Sequence, residues 1–146
     1  MIISVRRAIA SDAPKIAAAE RAYIDCPWTE AQVANEIENP DCLFFTAQTE
    51  DREFVGYASG VVAADECEVS NIAVLEEYRR RGVGKALFDK LLAEAKKRGV
   101  TTVFFLVRVD NEAAIGLYEK LGFAAVGTRR GYYNGQDAAI MRKGLN

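Results

Sequence analysis

The sequence predicts one mixed α/β domain spanning residues 1–146. Two observations carry that expectation. Runs of strand length and segments of helical periodicity follow one another in the order βααβββαβαββ, with no repeat, low-complexity segment or linker between them. Half of the residues are apolar and 27% charged, which at this length supports a single sizeable core and excludes disorder.

Met1 to Ile9 alternates weakly and is expected as a first strand, with Ile3, Val5 and Ala8 facing inward. Ser11 is expected to cap a helix with Asp12 and Pro14 in its first turn. That helix should run to about Tyr23, because Ile16, Ala19, Glu20 and Tyr23 recur at helical spacing. Pro27 breaks it by disfavouring helix at Cys26. Thr29 then caps a second helix to about Glu38, which Asn39 and Pro40 end.

Cys42 to Gln48 and Phe54 to Ala63 form a strand pair around a charged turn from Glu50 to Glu53, and Glu68 to Leu75 is the next strand. From Val83 to Arg98 a helix places Val83, Leu87, Leu91 and Ala95 on one stripe, with Phe88 and Leu92 widening it, and Gly99 ends it. Thr101 to Val109 is so rich in β-branched and aromatic residues that burial on both faces is expected. A short helix from Glu112 to Leu121 follows. Phe123 to Thr128 is a strand, Gly131 to Gln136 a turn, and Ala138 to Lys143 the last strand.

Composition also bounds function. A net charge of -2 argues against general nucleic-acid binding, which calls for a basic excess. Cys26, Cys42 and Cys67 follow no metal-ligand spacing, so they are expected reduced, in a cytoplasmic protein, with no metal. No signal peptide opens the chain and no apolar run reaches membrane-spanning length, so no membrane association is expected. The absence of histidine removes any imidazole base and the serine–histidine and cysteine–histidine nucleophile pairs.

The most informative stretch runs from Ser70 to Arg98. A short apolar strand leads into Arg79, Arg80, Arg81 and Lys85, which surround Gly82 and Gly84, and a helix follows at once. Glycine permits a tight turn with bare amides, and the first turn of a helix offers unpaired N–H groups at a positive dipole end. Such a turn attracts phosphate. An ordinary turn with solvated arginines is the plainer reading of this stretch taken alone.

Two later segments decide between them. Asn111, Ala114, Tyr118, Gly122 and Phe123 complete the spacing N-x-x-A-x-x-x-Y-x-x-x-G-F downstream of Arg79-x-x-Gly82-x-Gly84. Together these resemble the GCN5-related N-acetyltransferase (GNAT) superfamily, whose element order matches the whole chain. Within it the chain looks like the bacterial RimI type, which acetylates the N-terminal alanine of a small-subunit ribosomal protein. That closer likeness rests on Pro27-Trp28-Thr29-Glu30, Asn71-Ile72-Ala73-Val74, Val107-Arg108, Arg129-Arg130-Gly131-Tyr132-Tyr133 and Asp137 to Met141.

The resemblance implies one mixed, mostly antiparallel twisted sheet flanked by helices, and acetyl-coenzyme A as co-substrate. It places the pyrophosphate on the amides from Arg80 through Arg81, Gly82, Val83 and Gly84 to Lys85, and the pantetheine arm along the backbones of Ile72 and Val74, with Ala73 and Arg79 also among the cofactor-binding residues. Asn111 would hydrogen-bond the cofactor, although it equally suits a helix N-cap. Tyr118 falls at the position of the general acid that protonates the departing thiolate. Trp28, Glu30, Arg108, Tyr132, Tyr133 and Asp137 fall on the acceptor side. The implied partner is the N-terminal peptide of a ribosomal protein, met by a monomer or weak homodimer.

One position departs from the pattern. RimI-type enzymes carry a glutamate as general base two residues before the arginine of the strand, and this chain has Leu106 there. Glu68 is the first substitute, because it alternates with Ser70, Ile72 and Val74; a solvated strand-edge carboxylate is the plainer reading. An α-amine with a pKa near ~8 is roughly a tenth neutral at pH 7, whereas a lysine amine near ~10.4 is neutral at well below ~0.1%. A site without a strong base therefore suits an N-terminal amine better. Two other readings compete. A dinucleotide site fails because Leu87 stands where its third glycine belongs. A non-catalytic acyl-coenzyme A module stays open because of Leu106.

Overall fold

The computed structural model describes residues 2–133 and 135–145. The elements are β1 (Ile3–Arg7), α1 (Ala13–Tyr23), α2 (Glu30–Glu38), β2 (Cys42–Thr49), β3 (Phe54–Ala63), β4 (Glu66–Val74), α3 (Val83–Lys97), β5 (Thr102–Arg108), α4 (Glu112–Lys120), β6 (Ala124–Tyr133) and β7 (Gln136–Gly144). This is the order the sequence predicts. Among the described residues no helix is long and apolar enough to cross a membrane.

The strands form one seven-stranded sheet in the order β1-β2-β3-β4-β5-β7-β6. Every pairing is antiparallel except β4 with β5. That parallel pair is short, running only from Glu66 opposite Thr102 to Glu68 opposite Phe104. Beyond Glu68 the two strands part. A register shift lies at the same place: Gly60 pairs with Val69, but its neighbour Ser59 pairs with Asn71, so Ser70 is an extra, bulged residue.

The bulge reverses which face each side chain takes. Cys67 and Val69 lie in the core beneath α3 with Leu87 and Leu91, and past the bulge Ile72 and Val74 pack against that same core. Without an inserted residue, odd and even positions could not share a face. The expectation that Glu68 alternates with Ile72 and Val74 is thus corrected, and Glu68 points to the opposite face. The second core fills that face, with Ile16, Ala17, Val33, Phe44, Tyr57 and Ala73 packed beneath α1 and α2.

Three other expectations change. Asp12, not Ser11, occupies the N-cap of α1 after a 3-10 turn, and its carboxylate accepts from the Ile9 amide at 2.8 Å and from Arg6 at 2.7 Å. Strand β5 is buried on one face only, with Phe104, Leu106 and Arg108 half-exposed, because β4 diverges and leaves that face uncovered. The predicted turn from Gly131 to Gln136 is tighter, since β6 continues to Tyr133 and β7 begins at Gln136.

Candidate active site

The gap between the parted strands is a cleft of about 850 Å³. One wall is β4 from Val69 to Ile72, the other β5 from Phe105 to Arg108. Asn111, Ala114 and Tyr118 close the α4 side, while Tyr23 to Cys26, Trp28 and Tyr132 stand over the mouth.

Strand β4 presents backbone to this gap. The Asn71 N–H and C=O meet the Ser59 hydroxyl on β3 at 3.3 and 3.4 Å, and the Leu75 N–H donates to the Val55 carbonyl on β3 at 2.9 Å. Successive residues of an extended strand turn these groups to opposite edges. Those of Ile72 and Val74 therefore face the gap, and those of Ala73 face β3.

The chain then turns through Arg80 at φ 64 and Gly82 at φ 81 into α3. Gly82 is the N-cap, makes no side-chain cap, and leaves the first-turn amides of Val83, Gly84 and Lys85 without intrahelical acceptors. The cations around this turn divide. Arg79 donates Nε to the Val74 carbonyl at 3.0 Å and lies 4.7 Å from the Tyr23 ring centroid, so it closes the loop onto α1. Arg81 stands 5.9 Å over Tyr78, Lys85 pairs with Asp89 at 2.7 Å, and Arg80 is exposed.

Tyr118 sits in a nest of rings, edge-on to Phe105 at 4.3 Å and to Phe88 at 5.4 Å between centroids. Burial raises its phenol pKa above the ordinary value, so it holds its proton throughout the neutral range. Asn111 does cap α4, its side chain accepting from the Ala114 amide at 3.1 Å, and it lines the cleft as well.

Of the residues expected on the acceptor side, Arg108 donates to Asp110 at 3.2 Å and to Asp25 at 3.1 Å. Trp28 and Tyr132 line the cleft; Glu30 and Asp137 do not. Glu30 is exposed in the first turn of α2. Asp137 accepts from the Gly131 amide at 3.0 Å, bracing the hairpin that carries Tyr132. The side chain of Tyr133 lies outside the described residues. Leu106 is half-exposed on the cleft wall, and Glu68 shares its face of the sheet beyond the lining.

Sequence reasoning missed a fully buried carboxylate behind the cleft. Glu20 of α1 is 0% exposed. It accepts from the Tyr57 hydroxyl, from the Trp28 amide at 2.8 Å and from Asn71 Nδ2 at 3.0 Å on each oxygen. Its signal was available: a carboxylate within the apolar stripe of a helix demands buried donors.

Comparison with known proteins adds four findings. The family model described as "Acetyltransferase (GNAT) family" matches residues 7–123. The ribosomal protein bS18-alanine N-acetyltransferase of Escherichia coli is 40% identical over 118 residues, covering 79% of this chain and 78% of that protein. The N-alpha-acetyltransferase RimI of Mycobacterium tuberculosis is 39% identical over 125 residues, covering 82% and 77%. The crystal structure of the Escherichia coli ribosomal-protein-S18-alanine N-acetyltransferase superposes with a TM-score of 0.88 at 34% identity, over 99% of this chain and 95% of that one.

Proposed function

The chain belongs to the acetyltransferase (GNAT) family, and from that premise we propose that it acetylates the N-terminal α-amine of a protein, the N-terminal alanine of a small-subunit ribosomal protein. It is an acetyl-coenzyme A-dependent N-acetyltransferase. The observation that carries the reading is the parted β4/β5 pair, which leaves a strand edge for the donor and an open β5 face for the acceptor in one cleft.

In this reading the pyrophosphate rests on the amides from Val83 to Lys85 at the positive end of α3, with Arg80, Arg81 and Lys85 as its cationic rim. The pantetheine arm pairs with the gap-facing backbone of Ile72 and Val74 as an added strand would. Ala73 is held to β3 and serves by spacing those two residues. Asn111 binds the cofactor through atoms its cap leaves free. Arg79 acts indirectly, by fixing the loop.

The acceptor nitrogen attacks the thioester carbonyl carbon, and the tetrahedral intermediate collapses as the carbon–sulfur bond breaks. Tyr118 donates its phenol proton to the departing sulfur. A thiol of pKa about 8.5 is already a good leaving group, so this help is modest. The amine proton passes to Glu68, which shares the acceptor face with Leu106, or to solvent. Trp28, Arg108 and Tyr132 hold the peptide, and Glu30 and Asp137 add negative charge around its path. The chain works as a single domain of 146 residues in the cytoplasm, as a monomer or weak homodimer.

Thioester turnover with an alanine-initiated peptide, compared with lysine peptides and polyamines, tests this. Turnover confined to the α-amine substrate is the expected result. Leu106 favours the second reading, a non-catalytic acyl-coenzyme A module. Binding of acetyl-coenzyme A without acetylation of any amine would establish that one instead.

A further inference from the structure

Glu20 is a carboxylate with no exposed surface, and the donors that meet it are neutral: a phenol, a backbone amide and the side-chain amide of Asn71. An apolar side chain of similar volume would fill the space without the cost of burying charge. What a carboxylate adds is discrimination. It only accepts, so it holds the nitrogen of a neighbouring amide and rejects the oxygen. Two of the groups it holds, the Trp28 amide and the Asn71 side chain, belong to residues that line the cleft.

Asn71 stands on β4 directly after the bulge, half-buried, with Nδ2 donating to both Glu20 oxygens at 3.0 Å. In a planar amide whose nitrogen is committed in this way, Oδ1 is turned from Glu20. It is then the atom Asn71 offers to the cleft. The β5 wall of the same cleft carries Leu106, a hydrocarbon side chain with no acceptor atom, and the next residue of β4, Ile72, turns its backbone toward the gap.

We propose that Asn71 Oδ1 receives an N–H of the acceptor's neutral amine, and that Glu20 is the positioning residue that keeps this oxygen turned into the cleft. The inference rests on the α-amine acetyltransferase reading above. One N–H held on β4 leaves the nitrogen lone pair free to face a thioester lying along the same strand. Glu20→Gln removes the discrimination, since its amide nitrogen would draw Oδ1 toward itself and turn Nδ2 into the cleft, a donor against a donor.

The test uses the full chain with Asn71→Ala, Glu20→Gln and the double variant. Readouts are kcat and KM for an alanine-initiated peptide, and acetyl-coenzyme A affinity by calorimetry. Asn71→Ala should lower kcat/KM for the peptide by about 3- to 10-fold, the worth of one neutral hydrogen bond to the reacting amine, with cofactor affinity within about twofold. Glu20→Gln should cause a similar loss in the wild-type background and none in the Asn71→Ala background. Peptide kinetics unchanged in Asn71→Ala would overturn the proposal. So would equal Glu20→Gln losses in both backgrounds, or a parallel fall in cofactor affinity, each the mark of a structural role only. Should Glu20→Gln not fold, Asn71→Ala decides alone. A wild-type chain that acetylates no α-amine removes the functional reading and this inference with it, and that failure is visible before any variant is made.

Discussion

Arg108 on β5 reaches Asp25 in the loop after α1, with Nη1 3.1 Å from Oδ2, although 83 residues separate them. The pair spans the mouth of the cleft, and Asp110 holds the other side of the same guanidinium at 3.2 Å. Both carboxylates are exposed, so the bridge is screened by salt and adds little to stability. Its effect should fall on the acceptor. Asp25→Asn is expected to change peptide KM by about three- to tenfold while leaving cofactor affinity unchanged, and to flatten the salt dependence of KM. Steady-state kinetics at two ionic strengths measures both.

Tyr118 gives a prediction with a pH signature. Tyr118→Phe should lower kcat by no more than about 10²-fold, the low end for general acids, with acetyl-coenzyme A affinity nearly unchanged. Because burial raises the phenol pKa, the acid stays protonated above its ordinary value of about 10. The wild-type rate should therefore rise with pH through the acceptor's own pKa near ~8 and hold to about pH 10. A fall beginning near pH 8 would assign the acid to another group.

Leu106 and Glu68 form the next pair of tests. Glu68→Gln should move the acid limb of the pH–rate profile if its carboxylate takes the amine proton; an unmoved limb removes it from the mechanism. Leu106→Glu places a carboxylate on the half-exposed cleft wall, where solvation limits its cost. It should raise the rate below pH 7 by about tenfold or more, within the usual range for a general base.

Gly82 isolates the backbone contribution. A Cβ there would meet nothing within 4 Å, so the cost of Gly82→Ala lies in its φ of 81 alone. The expected loss is about 1 kcal/mol in a thermal or urea melt. Any relaxation of the turn also tilts the amides of α3, so the dissociation constant for acetyl-coenzyme A should rise by about fivefold or more while peptide KM does not.

Local signals survived the passage from sequence to structure well. Val83 begins α3 and Asn111 caps α4 as expected, because a positive-φ glycine and a side-chain cap act within a few residues. Tyr118 and Asn111 do meet in one cleft with Trp28, Arg108 and Tyr132. Long-range effects were hidden. Nothing in Val69-Ser70-Asn71 announces a bulge, since the extra residue is defined by its partner Ser59 on β3. The open face of β5 depends on where β4 leaves it, and β-branched composition alone reads as full burial. Glu20 kept its helical spacing in the sequence while its donors, Tyr57 and Asn71, lay 37 and 51 residues away.

The inserted Ser70 also makes β4 a parity device. Residues before it and after it answer to opposite counts, so one strand feeds the α3 core with odd positions and then with even ones. Deleting that single residue would restore one count along the whole strand. It would then send the side chains of Ile72 and Val74 out of the α3 core, or else drag Cys67 and Val69 from it. One wall of the cleft and the larger of the two cores are thus balanced on one small residue, which lines the first and stays out of the second, and its worth to the core is arithmetic.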